Sequence, residues 1–127
     1  MGTLEYHKLW KREYRKTISG KASQLLSSAK NRAKLKNLDC QITKEWIVEK
    51  LNIGLCEVTG LPVSLETYGR VDRNPNSPSI DRIDCDLGYT PANSRLVLLS
   101  VNDALNQYGL EHFLKVAQAV IDYQKDK

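Results

Sequence analysis

Apolar positions recur at helical spacing in three parts of the chain and alternate at strand spacing in the middle. Ala22, Leu25, Leu26, Ala29 and Ala33 repeat every three or four residues and predict a helix over 21–36. The preceding stretch, LEYHKLWKREYRK at 4–16, carries little that breaks a helix. Leu4, His7 and Trp10 do not form a wide apolar stripe, so it reads as an arm packed on something else, with Ser19-Gly20 as the break. Thr43 is placed as the N-cap of a third helix, with Trp46, Ile47, Leu51 and Ile53 on its core face and Gly54 at its end. LCEVT at 55–59 is short and β-prone, and Gly60-Leu61-Pro62 signals a turn.

Residues 66–79 are rich in Gly, Pro, Asn and Ser and read as a long loop. SIDRI at 79–83 predicts a strand, and SRLVLL at 94–99 a second one. The intervening loop turns at Asp86-Leu87-Gly88, where Gly88 is expected to supply a positive φ. Ser100 is expected to cap a helix, VNDALNQYG, closed by Gly109. A final amphipathic helix over 110–124 would turn Phe113, Leu114, Val116, Ala117, Val120 and Ile121 inward. The pattern is that of a small α+β protein: N-terminal helices, a β-hairpin followed by a helix, and a C-terminal helix.

Composition changes this picture little. The 127 residues suffice for one compact domain, and 41% hydrophobic with 27% charged residues excludes a disordered chain. No stretch approaches the roughly 18 apolar residues of a membrane helix. MGTLEYHKLWKREYRK lacks the apolar core of a secretory signal, so the expected location is the cytoplasm. Cys40, Cys56 and Cys85 are odd in number and widely spaced, without a CxxC pair, and read as free thiols.

Charge changes it more. The net +4 divides unevenly: residues 1–36 carry +8, and the remainder −4. Lys8, Lys11, Arg12, Arg15, Lys16, Lys30, Arg32, Lys34 and Lys36 make the first part a basic helical region, taken as residues 1–54. A basic arm on a mildly acidic body suits a polyanion such as DNA or RNA, and neither a membrane nor a small-molecule substrate is expected. Charge alone also fits a solvated surface helix.

The hairpin and its helix carry the candidate chemistry. Asp81 offers an anionic oxygen on the first strand. Asn102 and Asn106 offer amide oxygens four residues apart, on one face of the predicted helix. Carboxylate, amide oxygen and water form a Mg²⁺ or Mn²⁺ set rather than a zinc set. Taken singly, such residues are more often plain hydrogen-bonding groups.

From Leu55 onward the sequence resembles the HNH endonucleases, also called His-Me finger or ββα-metal nucleases, and especially phage-type members. The resemblance rests on CEVTGLP at 56–62, SPSIDRID at 77–84, GYTPANSRLV at 88–97 and the following Asn102. It implies a ββα-metal nuclease core over 55–127 with a C-terminal helix, DNA as substrate, and Mg²⁺ or Mn²⁺ as cofactor. It places Asp81 as the metal-binding acid, Asn93 as the asparagine that ties the loop by backbone hydrogen bonds, and Asn102 as the helix ligand, with Asn106 second. Double-strand cutting by such a single-site enzyme would favour a homodimer or two sequential nicks.

Arg82 falls where the family keeps its general-base histidine. A guanidinium has a pKa above about 12 and no acceptor, so it cannot take a proton from water near neutral pH. Three accounts follow. Arg82 grips the phosphate while the metal hydroxide or another group, with Asp84, Glu57 and Tyr89 the side chains in view, takes the proton. Or the protein is an inactive HNH-fold DNA-binding or accessory protein. Or it is a weak nuclease raised by a partner. The first is preferred because Asp81, Asn93 and Asn102 all remain. His7 and His112 lie in helices outside the motif.

Overall fold

The computed structural model describes Leu4, Tyr14, residues 16–66 and residues 73–127. The helix expected over 4–16, with His7, Lys8, Lys11, Arg12 and Arg15, falls largely outside the described residues.

Helix α1 spans Ile18–Leu35. Its N-cap is Thr17, whose hydroxyl accepts from the Gly20 N–H at 3.0 Å, so Ser19-Gly20 is the first turn of this helix and not a break before it. Gly20 is buried there because a Cβ would run into the Tyr14 backbone. Helix α2 spans Lys44–Ile53. Its expected cap holds: the Thr43 hydroxyl accepts from the Trp46 N–H at 3.1 Å. Gly54 closes the helix in the left-handed region at φ 72°. Ile47 and Leu51 are buried, whereas Ile53, in the last turn, is 69% exposed.

The segment 55–59 is a turn, not a strand. The Gly60 N–H reaches back to the Cys56 carbonyl at 2.8 Å, and the Cys56 N–H donates to Leu61. Glu57 supplies the pairing a strand would have supplied. Its N–H donates to the Leu96 carbonyl at 2.8 Å, and its Oε2 accepts from the Leu96 N–H at 2.5 Å.

Strand β1 spans Pro78–Arg82 and β2 spans Ser94–Leu98; they pair antiparallel, with Ile80 opposite Leu96 and Asp81 opposite Arg95. The pleat sends adjacent side chains to opposite faces, and each face has its own core. Ile80 and Leu96 join Ala22, Ala29, Ala33, Ile47 and Tyr89 in one cluster. Val97 joins Cys56, Val101 and Leu105 in the other. The first cluster draws on residues either side of position 54.

Helix α3 spans Leu99–Leu105 and has no side-chain cap. Ser100 is not its N-cap. The Leu99 and Ser100 N–H groups instead donate to the Ser77 and Pro75 carbonyls at 2.8 and 3.0 Å. The helix stops before Asn106, which adopts φ 43°. Gly109, at φ 84°, opens helix α4, Gly109–Gln124. The expected inward face of α4 is a second departure: it contains no buried residue, and Leu114, Val116, Val120 and Ile121 are about half exposed. Only its first turns, through Leu110 and Phe113, pack on the second cluster.

Gly88 is required for a reason other than the expected one. Its φ lies outside the left-handed region, but a Cβ would collide with the Asp39 backbone. The Tyr89 N–H donates to the Asp39 carbonyl at 2.9 Å, and the Tyr89 carbonyl accepts from Gln41 at 2.7 Å, so the loop docks on the α1–α2 connection. Gly60 presents the opposite case: φ is 74° and nothing lies within 4 Å of a built Cβ. Gly60→Asn should therefore cost well under about 1 kcal/mol, since Asn tolerates that region. Gly88→Asn and Gly88→Ala should each cost roughly 1–3 kcal/mol by overpacking. Urea denaturation of the three variants checks the contrast.

Candidate active site

Asn93 organises the loop that follows β1. Its Oδ1 accepts from the Asp84 N–H at 2.9 Å, and its Nδ2 donates to the carbonyls of Asp84 at 3.0 Å and Gly88 at 2.9 Å. Its own N–H is held by the Thr90 hydroxyl at 3.2 Å, and its carbonyl accepts from Ile83 at 2.8 Å. The side chain is 8% exposed and uses both ends of its amide, so the loop path is fixed by groups that water cannot replace.

Arg82 adds a second tie. Its Nη1 donates to the Cys85 carbonyl at 2.8 Å and the Leu87 carbonyl at 3.3 Å, and its guanidinium lies 5.2 Å from the Tyr89 ring centroid. Nη2 and Nε are the donors left over for a ligand oxygen.

These residues border an open cleft of about 790 Å³. Asp81 and Arg82 of β1 line it on one side, and Asn102, Asp103 and Asn106 on another. Cys85, Asp86 and Tyr89 of the loop complete it, and Arg32 of α1 and its C-cap Lys36 reach it from the N-terminal region. Asn106 is in the cleft but not on the helical face that its spacing to Asn102 predicts, because α3 has already ended.

Asp81 is 5% exposed and accepts from Arg95 Nε at 2.8 Å through Oδ2. Burial pushes its carboxyl up from the ordinary value, against the pull of Arg95 and Arg82. Oδ1 is the oxygen left for a cation. Asn102 donates through Nδ2 to Ser79 Oγ at 2.7 Å and weakly to the Ile80 carbonyl at 3.4 Å, which ties α3 to β1 and leaves the amide oxygen as acceptor. One carboxylate oxygen and one amide oxygen fit a hard divalent cation that keeps most of its waters. Among the described residues, no group of three or more His, Cys, Asp or Glu side chains is gathered as a metal site. The donor set therefore fits Mg²⁺ or Mn²⁺ and not a thiolate–imidazole zinc centre.

The groups considered as stand-in bases separate. Glu57 is committed to Leu96 and, at 2.9 Å, to Lys50. Asp84, expected in a catalytic role, does not line the cleft; its Oδ1 accepts from the Asp86 N–H at 3.0 Å, a turn-forming bond. Tyr89 is 2% exposed beneath Arg82. His112 lies on α4 against Tyr108. The acids of the cleft besides Asp81 are Asp86 and Asp103, neither of which sequence reasoning singled out. Their signal was weak: Asp86 read only as a turn residue, and Asp103 was one position of the predicted helix VNDALNQYG. Of the expected DNA contacts, Arg32 and Lys36 line the cleft, while Lys30 and Lys34 are exposed on α1 outside its lining. Lys16 is exposed ahead of α1, away from the cleft lining.

A strand pair followed by a short helix, with an acid on β1 and an amide on α3 facing one cleft, defines the ββα class of fold. A solved structure supports that class: the chain is similar to the rare-cutting HNH restriction endonuclease PacI, described for an extraordinary mechanism of DNA perturbation. The two share a TM-score of 0.58 and 17% identity over 81% of this chain and 78% of that one. The fold is thus HNH-like. Neither a protein-family profile nor a curated protein matches the chain in sequence.

A raised carboxyl has a signed consequence for stability. Between the ordinary carboxylate pKa of about 3.9 and the raised folded value, the folded chain holds a proton that the unfolded chain has lost. This contribution is complete below the ordinary value and disappears as pH rises through the folded one. In EDTA, the stability of the wild type should fall relative to Asp81→Asn across that window, as read by urea denaturation at a series of pH values.

Proposed function

We propose that this protein is a metal-dependent endonuclease that hydrolyses DNA phosphodiester bonds, with Arg82 in the place of a general-base histidine. The reading is carried by one observation: Asp81, Arg82 and Asn102 line the same cleft as two cations from the end of α1, Arg32 and its C-cap Lys36. Carboxylate, amide and three cationic side chains suit a metal ion and a phosphodiester together.

Asp81 Oδ1 and the Asn102 amide oxygen would hold Mg²⁺ or Mn²⁺, with Asn106 of the same lining as a further candidate ligand. When bound, the cation supplies Lewis-acid stabilisation of charge on the phosphate oxygens. Arg95 holds the far oxygen of Asp81, so the carboxylate has one orientation. Arg82 donates Nη2 and Nε to the phosphate while its Nη1 stays on the loop carbonyls, which keeps the guanidinium aimed without a conformational change. It stabilises charge and does not move a proton. The proton acceptor is Asp86, an exposed carboxylate of the cleft that the Asp84 turn positions. The helices of residues 1–54 supply backbone contacts, which position DNA but do not specify sequence; the chemistry belongs to residues 55–127.

Plasmid cleavage tests this directly. Wild type with Mg²⁺ or Mn²⁺ should nick or linearise DNA, and EDTA should abolish the reaction. Asp81→Ala should abolish it too, Asp86→Asn should lower the rate by roughly 10²-fold, and Arg82→Lys should not restore what Arg82→Ala loses, because lysine lacks the planar fork. The alternative, an inactive HNH-fold DNA-binding or accessory protein, predicts a plasmid shifted on a gel and never cut under any metal or pH.

Binding can be read apart from cleavage in an Asp81→Ala background. Arg32→Ala and Lys36→Ala should each weaken DNA binding evenly across sequences and reduce the salt slope of log K by about one. A titration of fluorescent duplex at several salt concentrations checks this.

A further inference from the structure

Helix α4 carries more apolar surface than the body of the protein covers. Leu110, Leu114, Ala117 and Ile121 follow one another at intervals of four, three and four residues, the spacing of a two-helix seam. The first turns of that seam lie on the second core cluster through Leu110 and Phe113. Beyond them the stripe continues in the open: Leu114 is 57% exposed, Val120 55% and Ile121 55%. No described helix is long and apolar enough to cross a membrane, so a bilayer span does not account for it.

The polar edge beside the stripe indicates what covers it. Glu111, Lys115, Gln118, Asp122 and Lys125 run along that edge. The order of charge is negative, positive, negative, positive, with the neutral Gln118 at the centre. Reversed, the order becomes positive, negative, positive, negative. An antiparallel copy of the same helix brings this edge against itself, so every charge meets its opposite. A twofold axis at Gln118 sets Glu111 against Lys125 of the second copy, and Lys115 beside its Asp122. Within one chain the edge is partly satisfied: Gln118 Nε2 donates to Asp122 Oδ1 at 2.8 Å, and Lys115 Nζ lies 3.8 Å from Glu111 Oε1 with both side chains largely exposed.

We propose that α4 is a self-association surface, and that two copies of this chain pair through it antiparallel, with Leu114, Ala117 and Ile121 in the seam and Glu111 facing Lys125 across a twofold axis. The contact is isologous, so it closes at two copies. A helix pair this short sits at the low end of interface sizes, so association is read over a concentration series. The proposal does not depend on the nuclease reading, and failure of either leaves the other standing.

Sedimentation equilibrium of the full chain tests it. Wild type should move with concentration from 14.4 kDa toward twice that mass. Leu114→Glu/Ile121→Glu should remain monomeric with an unchanged circular dichroism spectrum, since both side chains are exposed in one copy. Lys125→Glu should weaken the dimer about tenfold, and Glu111→Lys/Lys125→Glu should restore it. A wild type that stays monomeric throughout, a dimer indifferent to Leu114→Glu/Ile121→Glu, or a charge exchange that fails to rescue Lys125→Glu would each overturn the proposal.

Discussion

The amide of Asn93 is the constraint on which the rest of the cleft depends. A loop between two strands has backbone groups with no partner strand, and burying them unpaired costs about 1–3 kcal/mol each. Asn93 meets three of them with one side chain, at Asp84 twice and at Gly88 once. It can do so because an asparagine amide has a donor and an acceptor side by side. The turn at Asp84 and Asp86, the carbonyls that hold Arg82, and the seat of Tyr89 all lie on the stretch so fixed. A leucine of similar volume would fill the space and leave the loop without a path.

Arg82 and Arg95 show two different uses of one side chain within a single hairpin. They occupy opposite strands, and Asp81 stands opposite Arg95 and adjacent to Arg82 in the chain. Arg95 pairs with the carboxylate itself and is 15% exposed, so it offsets the burial of that charge. Arg82 faces the loop, and carbonyl oxygens receive one of its nitrogens. Removing Arg95 would leave a buried anion unpaired, whereas removing Arg82 would leave loop carbonyls and a cleft without its central cation. The two positions are thus unequal despite identical chemistry.

Much of this was legible in the sequence, and the failures share a cause. Thr43 and Gly54 end their helix as read, because capping is decided by a few adjacent residues. The hairpin was legible in SIDRI and SRLVLL, and the resemblance carried by SPSIDRID, GYTPAN and Asn102 pointed to Asp81 and Asn102, which line one cleft. Distant contacts were not. Gly88 was read as a turn glycine, but its small size answers to Asp39, 49 positions earlier. Ser100 looked like a cap, but loop carbonyls at Pro75 and Ser77 had already met the first N–H groups. Glu57 looked free for chemistry and is bound to Leu96. Asp86 lines the cleft and Asp84 does not, because a turn sends neighbouring side chains to different surroundings.

The close approach of Gly88 to Asp39 also bears on how such a motif can change over time. The strands, loop and short helix look like a transplantable cassette, yet the loop is seated on the α1–α2 connection by backbone contacts that no side-chain exchange can reproduce. Lengthening that connection by one residue would shift the seat of Tyr89 and, through it, the carbonyls beneath Arg82. Insertions in Asn37–Thr43 should therefore be rarer among descendants of this chain than insertions near Gly60, where the space is open. The helical region and the hairpin motif are obliged to drift as one unit.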